Sequence, residues 1–365
     1  MRPQHIDVKD AAAPGVGRVT SMARWLARRR GGAGPAVTRI SIVIPVYNAE
    51  ATLAECLTRV FQATFESFEV VLVDDGSTDR SRAIAQTFPV RIVPSPGRVG
   101  PAVARNVGAR AAVGEILFFI DSDVMLRPDS LARLADAFED PTVDALCGVQ
   151  SAEMRHQDLV SQYKNLWMRW TYLRHTGSVP LFYTTAAAMR RDAFLRVGGF
   201  DEGYGTPNVE DTAFGQKLAR LGLSVRIHPR LEVEHVKQYS LRSLLRTDFL
   251  RAVSLTRLKL RHPDDLGENN TSVPTSYIAS VGVLGLAVLA LAIGAALGAG
   301  VPALVATGAF AALAVALNGE FLAAIRASEG WWRTLCTVPV LMLELLVVGV
   351  GTGVGLLTYP LGQRY

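Results

Sequence analysis

The 365-residue sequence predicts an α/β domain on a mixed, mostly parallel sheet, followed by amphipathic interfacial helices and about three transmembrane helices. Three observations predict it. From residue 39 to 124, short apolar runs without polar alternation take turns with helical patterns, as expected of strands buried on both faces of a parallel sheet. Aspartates stand where those runs end. In the last quarter, YIASVGVLGLAVLALAIGAALGAG (277 to 300) carries no charge and as a helix is long enough to cross a bilayer.

The elements follow in order. RISIVIPVYNA (39 to 49) is an apolar strand that ends at Pro45, and Leu53, Leu57 and Val60 then recur at helical spacing. FEVVLVDDGSTD (68 to 79) repeats the plan, with a turn at Gly76 and Ser77 and a helix through Ala83 and Ile84. VRIVPSP (90 to 96) predicts a third strand, PAVARNVGARAAVG (101 to 114) a helix, and EILFFIDSDV (115 to 124) a fourth strand. LSVRIHPRLEVEH (223 to 235) is again sheet-like. Between them, residues 156 to 194 are rich in aromatics, among them Tyr163, Trp167, Trp170, Tyr172 and Tyr183, which suits either packing over the sheet or contact with lipid.

LRSLLRTDFLRAVSLTRLKLRH (241 to 262) interleaves leucines with arginines and is expected as a basic helix on an anionic phospholipid surface. Two further apolar stretches, 304 to 325 and 336 to 359, complete three spans, with Glu320 held near headgroups or against protein. Lys259, Arg261, Arg326 and Arg333 flank the spans. By the positive-inside rule they put the α/β domain on the cytoplasmic face of the inner membrane and the C-terminus on the opposite side. The expected divisions are a basic, disordered segment over 1–38 with no secretory signal pattern, the α/β domain over 39–238, a juxtamembrane region over 239–270 and a membrane region over 276–359.

Composition narrows the classes. The net charge of +5 clusters beside the membrane segments without an aromatic-basic recognition pattern, so no nucleic acid partner is expected. Cys56, Cys147 and Cys336 stand far apart and are odd in number, which indicates neither a disulfide framework nor a zinc knuckle. No GxGxxG and no GxxxxGK[ST] occurs, against dinucleotide oxidoreductases and P-loop ATPases.

Ligands of parallel sheets gather beyond the carboxyl ends of the strands. Asp74, Asp75, Asp121 and Asp123 all fall there, so one pocket is expected to collect four unpaired carboxylates. Their repulsion is relieved by a hard divalent cation, Mg2+ or Mn2+, that keeps positions open for phosphate oxygens. The pocket therefore suits a metal-bound diphosphate.

PVYNAE (45 to 50), VDDGSTD (73 to 79), ARNVGA (104 to 109), FIDSDV (119 to 124), GGFDEGY (198 to 204) and NVEDTAFGQKLARLG (208 to 222) together resemble a family 2 inverting glycosyltransferase of the GT-A fold. The resemblance covers about residues 39 to 236. It implies a nucleoside-diphosphate sugar as donor, with UDP favoured. Pro45, Tyr47 and Asp74 would line the nucleoside pocket, with Asp74 or Asp75 accepting from base or ribose. Asp121 would face ribose or metal, Asp123 would ligate the cation directly, His235 would meet the metal or diphosphate, and Arg105 would neutralise diphosphate. Asp211 would be the base and Glu210 would orient the acceptor. Thr184, Thr185 and the alanines after them match an acceptor-site floor, although Ala186 and Ala187 equally suit the core.

The membrane segments point to a lipid or polyprenyl-linked acceptor, as in polyprenyl-phosphate glycosyltransferases. A polysaccharide synthase is the competing enzyme, disfavoured by the missing QxxRW block. A catalytically silent sugar-nucleotide scaffold is the alternative from another class, and a phosphotransferase or nucleotidyltransferase would also use such carboxylates. The sequence assigns neither the sugar nor the oligomeric state.

Overall fold

The computed structural model describes residues 38–175, 177–204, 209–262 and 271–362. Apart from Thr38, the expected N-terminal segment lies outside the described residues, as do 263–270 of the juxtamembrane region. Strands β1 (Ile40–Val46), β2 (Phe68–Asp74), β3 (Arg91–Pro94) and β4 (Ile116–Ile120) form a parallel half-sheet, linked by helices α1 (Leu53–Phe61), α2 (Ser81–Ala85) and α3 (Pro101–Ala111). The register sets Val46 beside Asp74, so the two chain ends leave the sheet at one level.

The second half is mixed. It comprises β5 (Val124–Leu126), α4 (Ser130–Ala137), β6 (Ala145–Gln150), α5 (Leu159–Leu173), β7 (Ala186–Arg190), α6 (Arg191–Arg196), α7 (Glu210–Arg220) and β8 (Val225–His235). The sheet order is β3-β2-β1-β4-β7-β6-β8-β5, with β7 antiparallel to both neighbours. Ala187 pairs with Phe119 at the centre of the sheet, and Ala186 to Ala188 are buried core. Thr184 and Thr185 just before them reach the cavity described below.

Successive residues of β1 point to opposite faces. Ile42 and Ile44 join Leu57 and Phe68 in one apolar layer, while Val43 faces the layer of Phe119, Phe182, Phe194 and Phe214. The three cysteines are free.

Helix α8 (Leu241–Arg261) opens with a capping box at Ser240 and Ser243. It does not lie free on a surface as its two-faced pattern suggested. Leu244, Asp248, Ala252, Val253 and Leu258 are buried because α8 packs between the sheet domain and a later helix. Among the described residues, three helices are long and apolar enough to cross a membrane: α9 (Thr275–Leu297), α10 (Gly300–Leu317) and α11 (Gly319–Thr358). α10 ends earlier than its apolar run, where the Asn318 amide donates to Ser280 Oγ and the Ala314 carbonyl. Glu320 thus falls in α11, exposed, 3.2 Å from Arg174. Gly330 interrupts α11 with φ 80° and ψ 175°, a conformation open to glycine.

Candidate active site

The site forms where β1, β2 and β4 end. Asp121 and Asp123 follow β4, and β5 turns back to pair with β8 so that Val124 stands opposite His235. The Val236 N–H donates to the Asp123 carbonyl at 2.8 Å, and His235 Nε2 approaches Asp123 Oδ2 at 3.3 Å. Pairing of two strands far apart in sequence therefore delivers the histidine to the aspartate. Gln150 Nε2 lies 3.4 Å from His235 Nδ1 on the other side of the ring.

A cavity of about 540 Å³ collects these groups with Pro45, Tyr47, Asp75, Arg105, Glu210 and Asp211. Asp74 is not among its lining residues. Its carboxylate accepts from the Ser77 N–H at 3.0 Å and faces Arg82 at 3.6 Å. The physical reason is the strand: neighbouring residues at its end point to opposite sides. Asp75 is the one turned inward, and it accepts from Val99 N, Gly100 N and Ser95 Oγ. It thereby ties β2 to the N-terminus of α3.

The carboxylates are also not unpaired. Arg105, with its side chain 4% exposed, bridges Asp121 at 2.7 Å and Glu210 at 3.0 Å. The guanidinium expected to neutralise diphosphate thus joins the DxD segment to the start of α7, and is matched by two carboxylates. Cations that sequence reasoning did not place here are Arg98, Lys164, Lys237 and Arg251. Arg98 lies over the Tyr47 ring at 4.5 Å. These residues sit in no motif, and only packing brings them to the cavity.

Electrostatics separate the acids. Burial pushes Asp121 above the usual carboxylate range despite the Arg105 charge, with Asp123 adding repulsion. Burial opposes ionisation of Asp123 too, but His235 and Lys237 outweigh it and hold that carboxyl low. Burial lifts Asp211 to about 6, against the pull of Arg251 and with a push from Glu210. Asp211 Oδ1 accepts from the Thr212 N–H at 2.6 Å, part of the ordinary chemistry of a first helical turn. Its other oxygen has no hydrogen-bond partner among the described residues.

Among the described residues, no three His, Cys, Asp or Glu side chains converge as a ready-made metal cage. Asp123 and His235 do converge as a pair at the cavity wall. Mg2+ is commonly held by one or two protein groups and completed by phosphate and water oxygens, so this pair fits such a cation. Ligation through Nε2 needs the tautomer with the proton on Nδ1, which Gln150 accommodates when its amide turns Oε1 toward the ring.

Residues 41–198 match the sequence profile described as glycosyl transferase family 2. The match stops before Glu210, Asp211 and His235. A pre-mycofactocin glycosyltransferase of Mycobacterium tuberculosis is 27% identical over 268 residues, covering 71% of this chain and 55% of that protein. Glycosyltransferase GlyG of Streptococcus pneumoniae is 33% identical over 114 residues, covering 30% of this chain and 38% of that protein. The chain thus spans about half or less of the length of these relatives. The solved mannosyltransferase PcManGT from Pyrobaculum calidifontis, in complex with GDP-Man and Mn2+, shares the fold with TM-score 0.53 at 21% identity, over 92% of this chain and 94% of that one. The profile over 41–198 marks a glycosyl transferase family 2 domain within the chain, and the strand order and the likeness to the mannosyltransferase structure give that domain a GT-A-like fold, joined to apolar helices that fit membrane association.

Proposed function

We propose that the chain transfers a sugar, with inversion, from a nucleoside-diphosphate sugar to a membrane lipid or lipid-linked acceptor. One observation carries the acceptor class. A second, largely apolar cavity of about 410 Å³ lies between α5, α8, α9 and α11, and it shares Lys164, Met168 and Arg251 with the catalytic cavity. Its remaining wall includes Trp167, Tyr277, Val281 and Val348, so an apolar chain entering from the membrane helices meets the catalytic cavity at two cations.

Donor binding falls to the end of the sheet. Pro45, Tyr47 and Asp75 hold the nucleoside, with Arg98 stacked on Tyr47 as a cover. Asp123 and His235 would hold Mg2+ or Mn2+, which when bound would offset charge on the departing diphosphate; the mannosyltransferase that shares the fold was solved with Mn2+. Asp121, fixed by Arg105, borders the same space. Asp211 takes the proton of an acceptor hydroxyl as its oxygen bonds to the anomeric carbon and the bond to diphosphate breaks. Glu210, held by Arg105 at 3.0 Å and next to this base in the chain, orients the acceptor. Where the acceptor is an ionised lipid phosphate, no proton has to move and Asp211 serves only to orient it.

The basic flanks Lys259, Arg261, Arg326 and Arg333 support a catalytic domain on the cytoplasmic face of the inner membrane, with exposed Arg242 and Arg246 toward anionic phospholipid. The test is transfer of radiolabelled sugar from a panel of UDP- and GDP-sugars into organic-extractable lipid, using membranes that contain the protein. Mg2+ or Mn2+ is compared with chelator. Metal-dependent label in lipid, absent in Asp123→Asn, is expected. Label confined to polymer would instead identify a polysaccharide synthase, and no label with any donor would count against the transfer reading.

A further inference from the structure

We propose that the third apolar helix does not cross the bilayer. The part of α11 after Gly330 lies in the plane of the leaflet next to the catalytic domain, and its C-terminal end stays on the catalytic side. Length and composition alone qualify α9, α10 and α11 equally as spans. Their contacts do not.

α9 and α10 form a hairpin through Gly298 and Ala299, and most of their outward residues touch nothing, as suits two membrane crossings. The hairpin returns to the domain: Asn318 bonds Ser280, and Phe321 packs on Trp167 and Trp170 of α5. After the break at Gly330, α11 never leaves it. Arg333 Nη2 donates to the Gln157 carbonyl at 2.9 Å. Glu344 meets the Tyr163 hydroxyl and lies 3.8 Å from Lys164 Nζ. Farther along, Arg257 Nη2 donates to Thr358 Oγ1 at 2.9 Å and the Tyr359 hydroxyl donates to the Leu260 carbonyl at 3.1 Å.

From Arg333 to Tyr359 a helix runs about 40 Å at 1.5 Å per residue. Contact is kept with the sheet domain at its start and middle and with α8 at its end. A crossing helix has to carry its middle through about 30 Å of hydrocarbon away from a water-borne domain. The alternative is to sink α8 into the hydrocarbon beside it, but α8 carries Arg242, Arg246, Arg251, Arg257, Lys259 and Arg261. It is also fastened to the sheet domain at both ends, by Tyr239 N to Ser161 Oγ at 2.9 Å and by Arg261 Nη2 to the Tyr204 hydroxyl at 2.8 Å.

The face of α11 turned from the domain is an apolar stripe of Leu335, Leu343, Leu346, Val350 and Leu357, all exposed. Exposed Trp331 and Trp332 stand at its head, with Arg326 over the Trp331 ring at 4.7 Å. Aromatics beside arginine mark the headgroup level, and one apolar face is what an in-plane helix buries among acyl chains. The stripe therefore takes the acyl chains of the leaflet on the catalytic side. This placement holds whichever acceptor the enzyme uses.

The test is side-specific labelling of the full-length protein in sealed membrane vesicles, with partly exposed Cys336 replaced by serine and Cys56 and Cys147 left buried. Single cysteines are introduced as Glu139→Cys on the catalytic domain, Gly300→Cys at the hairpin tip and Leu361→Cys beyond α11. With a membrane-impermeant maleimide, Leu361→Cys is expected to label from the same side as Glu139→Cys, and Gly300→Cys from the other. Labelling of Leu361→Cys from the Gly300 side overturns the proposal. A topology reporter fused after Tyr365 locates the same end of the chain independently of how accessible residue 361 is, and a reporter on the side opposite the catalytic domain likewise overturns the proposal.

Discussion

At the scale of the residue, Asp211 combines the proposed role of base with a cost in stability. Its carboxyl is raised from 3.8 to about 6 by burial, so the folded state holds a proton that the unfolded chain has released. The stabilising effect of that proton is present below 3.8 and is lost as pH rises through 6. At neutral pH the buried, ionised form costs roughly 3 kcal/mol. Asp211→Asn keeps the acceptor for the Thr212 N–H and removes the charge. It is expected to raise thermal stability at pH 7, to leave it unchanged near pH 3.5, and to slow transfer to a hydroxyl acceptor about 10²- to 10⁴-fold. Melting curves at both pH values and turnover at pH 7 check this, and near-full turnover removes Asp211 from the role of base.

Gln150 gives a second prediction at this scale. It is buried, and its amide nitrogen lies 3.4 Å from His235 Nδ1 and 3.3 Å from the Tyr183 hydroxyl, so it braces the His235 ring from behind. Gln150→Leu preserves approximate size and loses the polar contact, and is expected to weaken Mn2+-dependent donor binding about tenfold. Titration calorimetry with and without the metal checks this, since a purely structural role predicts an equal loss in both. No sequence signal marked Gln150, because β6 reaches His235 through the pairing of β6 with β8. The aspartates were legible because strand ends are legible, whereas the choice between Asp74 and Asp75 depends on which way one strand is turned.

At the scale of the element, the first four strands and their helices fall close to the positions that apolar runs and helical spacing indicate, because buried parallel strands leave little freedom in their composition. Helix α8 shows where such reading stops. Periodicity reveals that a helix has two faces but not what each face meets, and here the apolar face meets α11 and the sheet domain. The packing depends on close approach. A Cβ on Gly351 would lie 2.7 Å from the Phe249 carbonyl oxygen, and one on Gly355 would lie 2.8 Å from Thr256 Cβ. Gly351→Leu is therefore expected to push α8 and α11 apart at a cost of about 1–3 kcal/mol, read as a lower melting temperature in detergent and faster proteolysis of α11. Gly353→Leu is the control, since nothing lies within 4 Å of that position, and a matching loss there would show that side-chain bulk in α11, rather than contact with α8, is responsible.

At the scale of the whole molecule, the catalytic domain and the apolar helices are joined through charged groups, most clearly at Lys164, which lies 2.6 Å from Asp248 of α8 and 3.8 Å from Glu344 of α11. Arg251, one turn beyond Asp248, faces both cavities and lowers the carboxyl of Asp211 against the effect of burial. One side chain of the juxtamembrane helix thus sets the charge of the proposed base and stands where the acceptor chain would arrive. Arg251→Gln removes the positive charge and keeps a hydrogen-bonding side chain, so Asp211 should hold its proton to higher pH. The acid limb of the turnover profile, expected near 6 in the native enzyme, moves upward, and KM for the lipid acceptor rises about tenfold or more, as for a lost charge-assisted contact. Donor affinity, proposed to rest on Tyr47, Asp75 and the Asp123–His235 pair, is expected to stay within about twofold, because among the described residues none of these groups shares a hydrogen bond or ion pair with Arg251. A profile unmoved by the substitution would separate Arg251 from Asp211. A change confined to donor binding would place Arg251 on the nucleotide side of the cavity instead.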